Sequence, residues 1–321
     1  MTMRHNVIDK THSILDMLKH TTHNEVVSSI LEDIDLNKFI VKHEKLFTII
    51  VPIDSFNDNK PRPMLCVHTD TVPKIPTDQT MLIDDTNTVI GVGQGIGADD
   101  RAGCWIAKQL IKDGDTRFVY GIFDEEEVGC NGSRACSSNA WFTSHVINAE
   151  FSRVSCFIGL DRRGGDEIAY YGCDSPEFKE AINDTIIGKE VMGSITDASE
   201  LASNASISCC NLSVGYYNEH TSRETLKIGE MEGTLQLLRE ADMSKLSTKV
   251  FDCEEYDGWW GDADDWYNEM PAYTTKNQYI TNFMPVLCEG CGVGGQLYVI
   301  PGDGNYCEDC ATMIGQMKEG L

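Results

Sequence analysis

Positive charge is scarce in this sequence of 321 residues: 26 Lys and Arg stand against 51 Asp and Glu, a formal net charge of −25. So acidic a surface repels phosphate backbones and anionic membranes, which argues against nucleic acid and membranes as general partners. It suits cationic ligands, and carboxylates that hold divalent ions would neutralise part of the excess. The plainer reading is a solubilising surface. Long apolar runs are missing as well. No stretch approaches the roughly 20 residues that a membrane span needs, and the opening MTMRHNVIDKTHSILDML lacks the apolar centre of an export signal. These absences predict a cytoplasmic protein. Nor do the 13 cysteines, an odd number without an export signal, point to a disulfide framework; thiols and metal ligands are expected instead.

The bulk composition, 41% hydrophobic and 24% charged, is that of a globular protein, and the length allows one large domain with a small appendage. Apolar residues recur at helical spacing over 8–34 and predict a helix there. Runs at 38–42 and 46–53 predict a hairpin. Apolar strands are expected at 64–69, 117–123, 155–160 and 209–217, and helices at 100–112 and 223–241. Strands alternating with helices predict an α/β sandwich with its sheet covered on both faces.

Polar clusters follow the strand ends, where open α/β sheets place their sites. They are CVHTDTVP (66–73), GIGADDRAGC (95–104), DEEEVGCNGS (124–133), GLDRRGG (159–165) and GYYNEHTSRET (215–225). Taken singly each has a bland explanation. A His-x-Asp is more often a surface or core pair, an Asp-Asp at a helix start more often a cap, and a run of acids a solvated loop. Together, two histidines and several carboxylates on one rim suit zinc or a similar divalent ion.

Beyond residue 250 the composition changes. Residues 251–270 carry eight acids, no base and five Trp or Tyr, which reads as a solvated linker or, alternatively, a docking strip. Further on, Cys288 and Cys291 precede Cys307 and Cys310 by 15 intervening residues, with glycines at 290, 292, 294 and 295. Two such pairs form a tetrahedral thiolate site, so a zinc ribbon holding one structural zinc is expected; redox-active dithiols are the competing reading. The ribbon is poor in Lys and Arg, so a protein contact, self-association or a lid role is favoured over nucleic acid. The predicted organisation is a catalytic domain at 1–249, an acidic aromatic linker at 250–279 and the ribbon at 280–321.

In order and spacing the five clusters resemble the co-catalytic zinc metallo-exopeptidase superfamily that includes peptidase T, the bacterial leucyl aminopeptidases and the deblocking aminopeptidases. The similarity runs from about residue 8 to residue 242. It implies a three-layer sandwich with a mixed, mostly parallel sheet. It also implies His68 as a metal ligand oriented by Asp70, and Asp99 as a bridge between two ions, followed by Asp100 across a cis peptide. Glu126 is implied as general base and Glu127, Asp161 and His220 as the remaining ligands. Glu224 matches an acid that commonly follows the last histidine. Only 58 residues separate Asp161 from His220, too few for the lid domain that many relatives insert there, and the linker and ribbon have no counterpart in the family.

The implied activity is hydrolysis of a peptide-like amide by two divalent ions, zinc first and cobalt or manganese as alternatives, with a peptide or aminoacyl substrate. An Asp at position 161 favours an aminopeptidase. The alternatives are a carboxypeptidase or N-acyl amino acid deacylase on the same scaffold, and a non-enzymatic peptidase-like binding module. Tyr216 or Tyr217 is a candidate oxyanion donor, although a packed strand tyrosine is the simpler reading of either.

Overall fold

A computed structural model describes residues 12–58, 60–72, 79–148 and 152–253, together with the backbone of 298–300 and 304–306. The chain divides into two compact units, Met1–Glu255 and Tyr256–Leu321.

The first unit is built on eight strands: β1 (Phe39–His43), β2 (Phe47–Pro52), β3 (Arg62–His68), β6 (Val119–Phe123), β7 (Val154–Arg162), β8 (Glu167–Tyr170), β9 (Lys189–Met192) and β10 (Cys209–Ser213). They lie in the order β1-β2-β6-β3-β7-β10-β8-β9. The central strands β6, β3, β7 and β10 are mutually parallel. The β1–β2 hairpin joins β6 antiparallel at one side, and β8 joins β10 antiparallel at the other. A smaller sheet of β4 (Met81–Ile83), β5 (Thr88–Gly91), β11 (Tyr216–Tyr217) and β12 (Thr225–Lys227) is antiparallel throughout.

Alternation along the central strands makes the two-sided core. Ile50, Leu65, Val67, Tyr120, Ile122 and Ile158 belong to one apolar cluster, while Ile49, Val51, Met64, Cys66, Val119 and Phe157 belong to the other. Both faces are therefore covered, as continuous apolar strands require. The first face carries helical residues 12–18 (α1), α2 (His23–Leu31), α3 (Ala98–Lys112), α6 (Pro176–Thr185) and α8 (Ile228–Glu240); the second carries α4 (Asn131–Ser137), α5 (Ala140–His145) and α7 (Asp197–Ala205). The α/β sandwich with a mixed sheet expected from the sequence is thus the observed fold. Among the described residues no helix is long and apolar enough to cross a membrane.

Four local readings change. The helix expected over 223–241 begins only at Ile228, Thr225–Lys227 being strand β12. The helix expected over 8–34 is broken before Thr22, whose side chain accepts the Glu25 N–H while Glu25 bonds back to the Thr22 N–H, a capping box that starts α2 afresh. The run 209–217 is two strands in two sheets, parted by Gly215 at φ 92°. And one disulfide, Cys173–Cys253, is present where thiols and metal ligands were expected. The fold brings these distant cysteines together because residues 250–253 run back along the sheet: Phe251 is 3% exposed, its N–H donates to Ser155 O (2.9 Å) and its carbonyl accepts from Ser208 N (2.8 Å).

In the second unit, Tyr298–Ile300 pairs antiparallel with Gly304–Tyr306, Tyr298 opposite Tyr306. Cys288, Cys291, Cys307 and Cys310, and the acidic stretch from 254 on, lie outside the described residues.

Candidate metal centre

The site lies where β3, β6 and β7 end. His68 is the last residue of β3, Asp161 the penultimate residue of β7, and Glu126 and Glu127 follow β6 across a turn. Asp99 and Asp100 open α3 and are joined by a cis peptide bond. His220 comes from the loop after β11 and has a φ of 61°, in the left-handed region, as has Asn218 at 56°; the sharp turn folds the imidazole back over the strand ends.

The distances group these residues around Asp99. His68 Nε2 is 3.1 Å from Asp99 Oδ1 and 3.4 Å from Asp161 Oδ1. His220 Nε2 is 3.1 Å from Asp99 Oδ2 and 3.0 Å from Glu127 Oε1. One carboxylate therefore offers an oxygen to each of two half-sites, each completed by one histidine and one further acid. Donor atoms of His68, Glu126 and Glu127 lie within 4.8 Å of one another, as do those of Asp99, Glu127 and His220.

Each imidazole nitrogen facing inward meets only carboxylate oxygens, so a proton or a cation must lie between them. Burial opposes a charge on His68, but Asp161, Asp70 and Asp99 outweigh it and push the ring well above the ordinary histidine range. His220 is pushed up to about 11: burial lowers it, while Asp99 and Glu127 raise it further. Burial lifts the Glu127 carboxyl to about 7, with His220 opposing and Asp99 reinforcing. So strong a preference for positive charge, among histidine and carboxylate donors, is what a pair of divalent ions would satisfy. The residues present fit such ions.

A second layer holds these side chains. Asp70 Oδ1 accepts the Glu126 N–H (3.0 Å) and Oδ2 the Glu127 N–H (3.1 Å). His68 Nδ1 is 3.1 Å from the Asp70 carbonyl oxygen and 3.3 Å from its Oδ1, which fixes the ring. Burial raises the Asp70 carboxyl, but His68 and the two N–H donors hold it below the usual carboxylate range. Glu125 at φ 59° makes the turn that aims both amides at Asp70. Glu126 Oε1 accepts from the Cys130 thiol at 3.9 Å. Burial holds its carboxyl well above the ordinary range against the pull of His68.

Further side chains support Asp161 and the rim. The Asn211 side chain on β10 accepts the Asp161 N–H at 2.8 Å and donates to the Asp161 carbonyl at 2.9 Å, standing in for a strand partner. Thr196 donates to Asp161 Oδ2 at 3.0 Å. Tyr216 donates to Asp161 Oδ1 at 3.1 Å, and Tyr217 to Glu230 Oε2 at 2.6 Å, so both tyrosine hydroxyls are engaged by acids. Tyr216 sits in the rim as a holder of Asp161. A polar residue at a fixed offset inside an apolar strand, as in CCNLS, was the available hint for Asn211.

No protein-family model and no curated protein matches the sequence. Solved structures do match in fold. The aminopeptidase PepT of Bacillus cereus is 12% identical with a TM-score of 0.51, over 71% of this chain and 96% of that one. A tripeptidase of Staphylococcus aureus is 13% identical with a TM-score of 0.51, over 71% and 95%. A TET aminopeptidase from a marine-sediment Thaumarchaeota archaeon is 11% identical with a TM-score of 0.54, over 75% and 99%. The chain shares the fold of these peptidases.

Proposed function

We propose that this protein is a metal-dependent exopeptidase, most simply an aminopeptidase, whose two ions share Asp99. The observation that carries this reading is the division of the Asp99 carboxylate between His68 and His220 at 3.1 Å each. The shared fold with two aminopeptidases and a tripeptidase supports the same class.

His68 and Asp161 would hold one ion and His220 and Glu127 the other, with zinc, or cobalt or manganese, suiting this donor set. Bound ions of this kind lower the pKa of water toward neutrality and polarise the scissile carbonyl. The chain supplies the rest. Glu126 takes the proton of the attacking water and passes it to the departing amine. Asp70 keeps Glu126 and Glu127 in register by holding both their amides.

Asp161 is the residue that the family resemblance ties to aminopeptidases over carboxypeptidases and deacylases, which stay as the second reading. Hydrolysis of aminoacyl p-nitroanilides and of N-acyl amino acids, each with and without a chelator, separates the classes. Chelator-sensitive cleavage of the aminoacyl substrates supports the proposal. Turnover of the acyl substrates alone replaces it with the second reading, and no turnover of either leaves a binding module.

A further inference from the structure

In the cluster ADDRAG, Asp100 accepts the His68 N–H at 3.2 Å and the Gly103 N–H at 2.9 Å. Arg101 follows the Asp99–Asp100 pair at the start of α3 and is only 1% exposed. Its Nη1 donates to the Thr69 carbonyl oxygen and its Nη2 to the His20 carbonyl oxygen at 3.0 Å, while Nε has no hydrogen-bond partner. Thr69 lies between His68 and Asp70. Its N–H and hydroxyl both bond the Phe123 carbonyl, at 2.8 and 3.0 Å, and the hydroxyl reaches Asp124 at 3.2 Å and His23 Nδ1 at 2.7 Å. The guanidinium thus joins the segment bearing Asp99 to the segment bearing His68 and Asp70, and ties both to the helices before β1. On the other side of the bridge, Glu224 holds Asp99 itself. Nothing comparable links Arg101 to the His220 loop among the described residues.

We propose that Arg101 is a positioning residue for one half of the centre: its two-pronged grip on Thr69 and His20 sets His68 and Asp70, and so governs the affinity of the His68–Asp161 half-site. A planar fork does this where an ammonium cannot, because a single point donor lacks the fixed geometry that spans two carbonyls. The inference rests on the two-ion reading above.

The test is cobalt binding to the full chain by equilibrium dialysis. Binding by His68→Ala/His220→Ala measures sites elsewhere in the chain and is subtracted. Arg101→Lys, which keeps the charge, is placed in His220→Ala, where only the His68 half remains, and in His68→Ala, where only the His220 half remains. Removing a group that orients a ligand typically weakens metal binding by about 10–100-fold, and that loss is expected in the first background, with a clearly smaller loss in the second, which Arg101 reaches only through Asp70 and the Glu127 amide. Equal weakening in both backgrounds, or none in either, overturns the proposal. If the unmodified chain binds no more cobalt than the double variant, the two-ion reading fails instead. Amide exchange of the metal-free proteins then still decides the role of Arg101: faster exchange confined to 68–70 and 126–127 in Arg101→Lys supports it, and unchanged or global acceleration refutes it.

Discussion

Glu224 accepts the backbone N–H of Asp99 at 3.0 Å, across 125 residues of sequence. Its other oxygen accepts the N–H groups of Ile96 and Gly97 at 2.8 and 2.7 Å, and the side chain is buried at 1% exposure. One carboxylate therefore shapes the whole loop that presents the bridging acid. Glu224→Ala strands three buried donors, each costing about 1–3 kcal/mol when left unpaired. Allowing for partial relaxation and hydration, a total loss of about 2–5 kcal/mol is expected by urea denaturation, with Glu224→Gln in between. An Ala variant as stable as the parent would show that the loop holds its shape without Glu224.

Glu126→Gln should leave metal content unchanged, since Glu126 is the proposed base and not a ligand, while turnover falls by about 10²–10⁴-fold. Glu127→Gln should instead lose metal. Elemental analysis beside initial rates distinguishes them. Full activity in Glu126→Gln would reassign the base.

Three ions per chain are expected, two at the Asp99 centre and one in the C-terminal ribbon. Mild chelation should strip the open centre first, because closed thiolate sites exchange more slowly. Ligands that bind the folded state alone stabilise it by about 2.7 kcal/mol at a hundredfold excess over Kd. The melting point should therefore drop on chelation and recover with zinc. Asp99→Ala, which removes an oxygen from both halves, should abolish that recovery. One ion per chain would contradict the shared-carboxylate reading.

How much of this was legible in the sequence follows from the range of each interaction. The sheet core was legible because apolar strands announce themselves locally: β3, β6 and β7 fall on three of the apolar runs expected from composition. The cluster residues stood out because each lies at or just beyond a strand end or opens a helix. What the sequence concealed are the long-range supports. Asn211 holds Asp161 across 50 residues, Thr196 across 35, and nothing local to either residue marks the pairing. The small antiparallel sheet escaped as well, because β11 and β12 are two and three residues long and carry no readable period. The Cys173–Cys253 pair escaped for the same reason: 80 residues part the cysteines, and only the return of the chain along the sheet makes them neighbours.

That return sets the last expectation, which concerns where the first unit can be cut. A chain ending at Glu255 keeps Phe251 packed against Phe178, with ring centroids 5.7 Å apart, and keeps the Ser155 and Ser208 hydrogen bonds and the Cys173–Cys253 bridge. It should fold, bind its two ions and melt cooperatively without the ribbon. A chain ending at Lys249 loses all of these together. Removing a buried phenylalanine alone costs about 3–5 kcal/mol, a large part of the stability of an ordinary domain, so this shorter chain should be poorly soluble or melt far lower. The bridge also makes a separable prediction: with Cys253→Ser in the longer chain, the loss should be smaller than that of the truncation, because Phe251 stays in place. Expression of the three proteins, with thermal melts and metal analysis, is sufficient. If the chain ending at Lys249 is as stable as the one ending at Glu255, residues 250–253 are an ornament on the sheet and the domain ends where the acidic stretch begins.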